Sequence, residues 1–300
     1  MRIAVFTKNS VNPNYLAFFN GALRAAEAEG AAATWHTPAT PDHAEQQIAL
    51  LRAVAAERPD AILFAPAEDR ALEGPVAEVN AAGIPLIGFV NRMEGGFVTF
   101  VGADDTAMAR TAATVLLDAL GGRGKVVLIE GPDTAPTSRD RGRGFREAIA
   151  RYPDITLLGT APGRYLRDGG QAAMRAHLAA HPAIDGVICT NDLMALGALD
   201  ALAEAGRTAL VVGNNGTIDA ARAIGEGRLL ASMDYCGFKM GAVASMAALR
   251  HLRGEKLPRR ILLPAQVITH ANHAAWLVPI EDRKLPRWND MVASEQEKNA

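Results

Sequence analysis

The sequence predicts an α/β protein made of parallel sheets covered on both faces. Strand-like apolar runs alternate with amphipathic runs almost without interruption along its 300 residues. The strongest apolar runs, at 3–7, 61–64, 85–89, 126–130, 186–190 and 210–213, are continuous rather than alternating, as in strands buried on both faces. A faint repeat then divides the chain. The unit that starts at Pro59-Asp60-Ala61-Ile62 and the unit that starts at Ala183-Ile184-Asp185-Gly186 both run strand, helix, Ala-Gly, strand, asparagine. Two similar lobes follow, divided near 102–105, and 300 residues are more than most single cores hold.

Taken in order, the strand at 3–7 precedes a helix whose buried face is Phe18, Ala22, Ala25 and Ala26. A weaker strand at 32–36 and a helix at 43–57 come next. The strand at 61–64, the helix at 70–82, the strand at 85–89 and a weaker strand at 97–101 complete the first series. The second opens with a helix at 104–120, for which Asp104, Asp105 and Thr106 read as caps. It continues with a strand at 126–130, a helix at 138–151, a weaker strand at 155–160 and a helix at 169–180. The strand at 186–190, helix at 192–205, strand at 210–213, helix at 217–226 and weaker strand at 229–234 follow. A helix at 237–253 and a weak strand at 261–264 close the pattern.

Composition narrows the function. A net charge of −2 gives no electrostatic reason to bind nucleic acid or anionic lipid. No apolar run is long enough to span a bilayer. Met1-Arg2 leads directly into a strand, so no signal peptide is expected here: the chain is cytoplasmic, or a mature form whose leader was removed. Cys189 and Cys236 fit no metal or redox spacing, and Cys189 reads as a small buried hydrophobe. The histidines read as solvated or capping. Phosphate-binding glycine loops, zinc-protease helices and serine elbows are all missing, which leaves no metal, cofactor or catalytic residue to name.

Ligands of such sheets bind beyond the carboxyl ends of the strands. The residues there are Lys8, Asn9, Asn12, Asn14 and Tyr15 after the first strand, Asn91 and Arg92 after the strand at 85–89, and Arg139 at the head of the helix at 138–151. Tyr165, Asn191, Asn214 and Asn215, then Asp234 and Tyr235, follow later strands. Amides both donate and accept, and guanidinium is a fork of donors, so the set suits a polyhydroxylated ligand. Tyrosine rings offer flat faces for the C–H side of a sugar. Each residue also has a plainer reading. Asn12, Asn14 and Asn191 fit turns and helix caps, Tyr165 fits a core edge, and the run Arg139, Arg141, Arg143, Arg146 fits a mostly solvated helix face.

The stretches Asn12-Pro13-Asn14-Tyr15, Gly88-Phe89-Val90-Asn91-Arg92, Ser138-Arg139-Asp140-Arg141-Gly142-Arg143-Gly144-Phe145, Thr190-Asn191-Asp192-Leu193-Met194-Ala195-Leu196-Gly197 and Val212-Gly213-Asn214-Asn215-Gly216-Thr217 occur in one order over residues 1–270. In them the chain resembles the periplasmic sugar-binding proteins of ABC transporters, of the ribose-binding-like type, a fold shared with the effector domain of lactose-repressor-type regulators. The resemblance implies two Rossmann-like lobes joined by a hinge of three crossings, near Ala103, Tyr235 and 265–267, with the ligand between them. The lobes would be 1–103 plus 236–265, and 104–235 plus 266–300. Ligand contacts carry over to Asn12, Asn14, Tyr15, Asn91, Arg92, Arg139, Tyr165, Asn191, Asn215 and Tyr235; Lys8 and Asp234 join from the strand-end reading.

The function so implied is capture of a monosaccharide or polyol, without chemistry or cofactor, and delivery to a permease by a monomeric periplasmic protein. Three departures bear on the ligand. Ribose binders have aspartate where Asn91 and Asn215 stand, an aromatic at Asn14, and glutamine near Tyr235. Losing two carboxylates leaves Lys8, Arg92 and Arg139 less neutralised, so a sugar acid competes with a neutral sugar. A ligand-sensing or receptor-docking protein, and an enzyme acting on a sugar, are the alternatives of other classes. The tail after Thr269, with Trp276, Trp288 and the polar run 294–300, is expected to pack on the C-terminal lobe and then fray.

Overall fold

The computed structural model describes residues 1–296. Elements are numbered along the chain, which forms two compact units. The first unit joins Met1–Ala103 to Cys236–Pro264 and to the chain from Pro279 onward. Its strands are β1 (Arg2–Phe6), β2 (Ala32–His36), β3 (Ala61–Phe64), β4 (Leu86–Phe89), β5 (Thr99–Gly102) and β11 (Arg260–Leu262). They form one sheet in the order β2-β1-β3-β4-β5-β11, parallel throughout. Helices α1 (Pro13–Ala28), α2 (Ala44–Ala56), α3 (Asp69–Ala81), α9 (Gly237–Leu252) and α10 (Trp288–Gln296) belong to this unit.

The second unit is Asp104–Tyr235 with Ala265–Val278. Its strands are β6 (Arg123–Glu130), β7 (Asp154–Pro162), β8 (Gly186–Cys189), β9 (Leu210–Asn214), β10 (Ala231–Asp234) and β12 (Gln266–Ile268). The order β7-β6-β8-β9-β10-β12 repeats that of the first unit, except that the last pair is antiparallel. Helices α4 (Asp105–Ala119), α5 (Pro136–Ile149), α6 (Arg167–Ala180), α7 (Asp192–Glu204) and α8 (Ile218–Gly225) complete it. The repeat seen in sequence is therefore real topology: β3 and β4 occupy the same places in their sheet as β8 and β9. In each sheet the strand order reverses beside the first strand, the switch point where α/β sheets bind ligands.

Continuous apolar strands make the cores. Val127, Ile129, Val187, Cys189 and Val211 are fully buried in the second unit, and burial pushes the Cys189 thiol well above its ordinary pKa. His177 departs from the solvated reading, since it is buried on α6 and burial lowers its pKa. His43 does cap α2, accepting from Gln46 N. In the first unit Phe18 of α1 stacks on Phe89 of β4 with ring centroids 3.5 Å apart. Helix α1 packs so closely on α9 that a Cβ on Gly21 would overlap the Phe238 carbonyl, and one on Gly241 the Phe18 carbonyl.

Two expectations need correction. The chain changes unit four times, not three, because it crosses again after Val278. From Pro279 onward the tail packs on the first unit rather than the C-terminal lobe. The reason is two arginines of that unit. Arg24 donates to the carbonyls of Glu281 and Arg283 at 3.1 and 2.7 Å, and Arg250 lies 4.8 Å from the Trp288 ring centroid. Residues 297–300 of the polar run lie outside the described residues. Strand β12 was not legible because it is three residues long with one buried side chain.

Gly241→Ala should destabilise the first unit by about 1–3 kcal/mol, the usual cost of overpacking. Urea denaturation monitored by circular dichroism measures it, and Gly74→Ala, also within a helix and with nothing within 4 Å of the added methyl, is the control for backbone effects alone.

Candidate ligand-binding site

The strand ends of the first unit are braced by buried polar groups. Gln47 of α2 donates to the carbonyls of Thr7 and Ala65 and accepts from Ala67 N, tying the end of β1 to the end of β3. The loop Asn9–Tyr15 uses its asparagines in different ways. Asn9 Oδ1 accepts from Asn12 N at 3.0 Å, and Asn12 Oδ1 accepts from Asn14 N at 3.0 Å as the N-cap of α1. Asn9 and Asn12 thus shape the loop, and for Asn12 this is the capping role that its position allowed. Asn14 and Tyr15 are buried in the first turn of α1, and Asn14 Oδ1 lies against Gly237. Lys8 is buried and pairs with Asp42 at 3.3 Å.

Asn91 is held by backbone strain. Val90 has φ +60, and Asn91 N donates across it to Phe89 O at 2.7 Å, a γ-turn of the rare strained kind. Asn91 Nδ2 donates to Pro66 O at 2.6 Å, while its buried Oδ1 has no donor among the described residues. Among those residues seven non-glycine positions have positive φ: Asp42, Arg58, Val90, Arg164, Tyr165, Asn215 and Cys236. All but Arg58 are candidate residues or their immediate neighbours or partners. Strained backbone that collects at one end of each sheet marks a site whose geometry matters.

In the second unit the strand ends converge on Arg141. Its side chain is 4% exposed. Nε donates to Asp105 Oδ1 at 2.8 Å, and Nη1 to Thr190 O at 2.7 Å and Asn215 Oδ1 at 3.2 Å. The guanidinium lies 5.4 Å from the centroid of the Tyr235 ring. Nothing among the described residues accepts from Nη2. Burial opposes the charge, but Asp105, with Tyr165 and Tyr235, more than restores it and holds the Arg141 pKa above its ordinary value. Burial pushes the Asp105 carboxyl up, against the pull of Arg141.

The arginine expected here was Arg139, and the structure corrects this. Helix α5 begins at Pro136, two residues before the predicted start. Arg141 shares the inward face with Phe145 and Ala148, whereas Arg139 is exposed and donates to the carbonyls of Asp133 and Thr134. The i, i+4, i+7 spacing of Arg141, Phe145 and Ala148 is the signal that finds it. Arg92, on the loop after β4, is exposed too.

Asn191 caps α7 by accepting from Met194 N, and its Nδ2 donates to the carbonyl of the strained Tyr165. The Tyr165 hydroxyl lies 3.0 Å from Thr137 Oγ1. Asp234 Oδ2 accepts from the Trp276 indole at 2.8 Å. Asn214 is buried, donates to Cys189 O, and keeps an Oδ1 without a donor among the described residues. Asp192 accepts from Thr217 N, Thr217 Oγ1 and Ser232 Oγ, and so ties the start of α7 to the ends of β9 and β10.

Comparison with known proteins places this architecture. Residues 3–256 match the model of the periplasmic binding protein domain. The chain belongs to the periplasmic binding protein family. It is 33% identical over 211 residues to the ribose import binding protein RbsB of Bacillus subtilis (strain 168), covering 70% of this chain and 68% of that protein. It is 31% identical over 218 residues to the D-apiose import binding protein of Actinobacillus succinogenes, covering 72% and 70%. Among solved structures, an ABC transporter solute-binding protein of Agrobacterium vitis bound to α-D-tagatopyranose superposes with a TM-score of 0.88 at 26% identity, covering 93% of this chain and 99% of that one. No described helix is long and apolar enough to cross a membrane.

Burial raises the Asp192 pKa to about 6, against the pull of its three donors. A carboxyl whose folded pKa lies above its unfolded value binds its proton more tightly when folded. Its contribution to stability is complete below about pH 4 and is lost as the pH rises through about 6. Melting temperatures of the wild type and Asp192→Asn between pH 4 and 7 should show this component of the slope in the wild type and not in the variant.

Proposed function

We propose that this chain is the solute-binding component of an ABC transporter, and that it captures a neutral monosaccharide or polyol and passes it to a membrane permease. The observation that carries the choice of ligand is the internal pairing of the buried cations. Lys8 has Asp42 and Arg141 has Asp105, each within its own unit. An anionic ligand added to either pair would leave a net charge buried, which is costly. The two asparagines that stand for aspartates therefore do not leave Lys8 unneutralised, and a sugar acid is disfavoured. Buried acceptors such as Asn91 Oδ1 suit hydroxyl donors, and the rings of Tyr15, Tyr165 and Tyr235 suit the C–H face of a sugar.

The relatives point the same way, with names that specify ribose, xylitol, D-apiose and D-allose. They are binding proteins, and the role proposed here is capture without catalysis. On this reading Asn14, Tyr15 and Asn91 of the first unit and Arg141, Tyr165, Asn191, Asn215, Asp234 and Tyr235 of the second contact or frame the ligand. Lys8 acts through its pairing with Asp42, and Arg92 and Arg139 stand further out. The protein works in the periplasm, as a monomer.

A thermal-shift screen of D-ribose, D-apiose, D-allose, D-tagatose and xylitol tests the proposal, because a ligand that binds only the folded state raises the melting temperature. At least one should raise it by several degrees. Asn91→Ala and Arg141→Lys should weaken that ligand by about 10- to 100-fold, as loss of charge-assisted or buried hydrogen bonds does. Arg139→Ala should cost less than either. No shift with any of the five would count against the reading, and equal affinity in all three variants would sink the site assignment.

A further inference from the structure

We propose that Trp276, in the tail beyond β12, is a positioning residue for the ligand end of the second unit. This rests on the ligand site proposed above. The tail holds the end of β10 in two ways. Gln266 of β12 pairs with Asp234 in the antiparallel ladder, which fixes the backbone. The Trp276 indole then donates to Asp234 Oδ2 at 2.8 Å, which fixes the carboxylate. On its other side Asp234 backs onto Gly216, where a Cβ would come within 2.5 Å of the Asp234 Cβ. The aspartate is thus clamped between the tail and the backbone just beyond Asn215.

The next residue is Tyr235, whose ring faces the Arg141 guanidinium. Tyr235 follows the carboxylate directly and precedes Cys236, a left-handed residue at the passage to the first unit. The ladder with β12 ends at Asp234, so side-chain contacts help to place the residues at the strained backbone that follows. Trp276 supplies one from outside the strand-end set. Its ring packs on the core of the second unit, and its N–H makes a charge-assisted bond to Asp234. The carboxylate that the sequence offered as a ligand acceptor is turned in part to the tail. Trp276 thereby sets where Tyr235 lies and how much of the Asp234 charge the ligand meets.

The test separates the indole N–H from the bulk of the ring. Trp276→Phe keeps a ring against the core and removes only the donor. Its affinity for the tightest binder among D-ribose, D-apiose, D-allose, D-tagatose and xylitol should fall by about 3- to 10-fold, the range of one hydrogen bond. In an Asp234→Ala background the same change should cost nothing further. Equal losses in both backgrounds, or no loss in either, would overturn the proposal while leaving the ligand site intact. The indole N–H proton resonance of Trp276 supplies a readout without ligand: it should move in Asp234→Ala, and a resonance that stays put overturns the inference. Failure of the wild type to bind any of the five would refute the functional reading, and this inference would fall with it.

Discussion

The second unit depends on one buried ion pair. Arg141 leaves α5 and reaches the start of α4, the end of β8, the residue after β9 and the ring that follows β10. No other side chain described joins so many strand ends. Removing either partner would leave an uncompensated charge in the interior, so Asp105 and Arg141 stand or fall together. The pair also sets the electrostatics of the site. With its charge cancelled nearby, the guanidinium acts as an oriented donor rather than as a trap for anions.

Other buried polar groups do similar work with less charge. Gln47 joins β1 to β3, Asp192 joins α7 to the ends of β9 and β10, and Asn191 holds the carbonyl of Tyr165. These bonds offset the cost of burying amides and carboxyls. Asn191 holds the strained Tyr165 in this way, and Asn91, bonded to Pro66 O, does the same beside Val90. The result, within each unit, is a set of tyrosine rings and polar groups at the strand ends that the protein's own hydrogen bonds hold in place.

Much of this was legible in the sequence. Continuous apolar runs gave the strands, and the asparagines at strand ends gave most of the candidate residues. The repeat gave two units of like topology. What escaped was phase and partnership. Arg139 looked like the inward arginine because it stood at the head of the expected helix, but the spacing of Arg141 with Phe145 and Ala148 puts Arg141 inside. The aspartates lost at Asn91 and Asn215 suggested that Lys8, Arg92 and Arg139 are less neutralised, but Asp42 pairs with Lys8, and the buried cation of the second unit is Arg141, paired with Asp105. The tail beyond Val278 was misplaced because its anchors, Arg24 and Arg250, lie far away in the chain and bind carbonyls and a ring, which leave no pattern in sequence.

The central claim is that the buried cations are balanced from within, so that the site prefers a ligand without charge. Isothermal titration of the purified protein with matched pairs, each neutral aldose against its own aldonic acid, tests this most directly. The account predicts that the neutral member of the best pair binds at least about tenfold more tightly, a difference of about 1.4 kcal/mol. Tighter binding of the acid would contradict it, and would mean that Arg141 or Lys8 gives up its internal partner to the ligand.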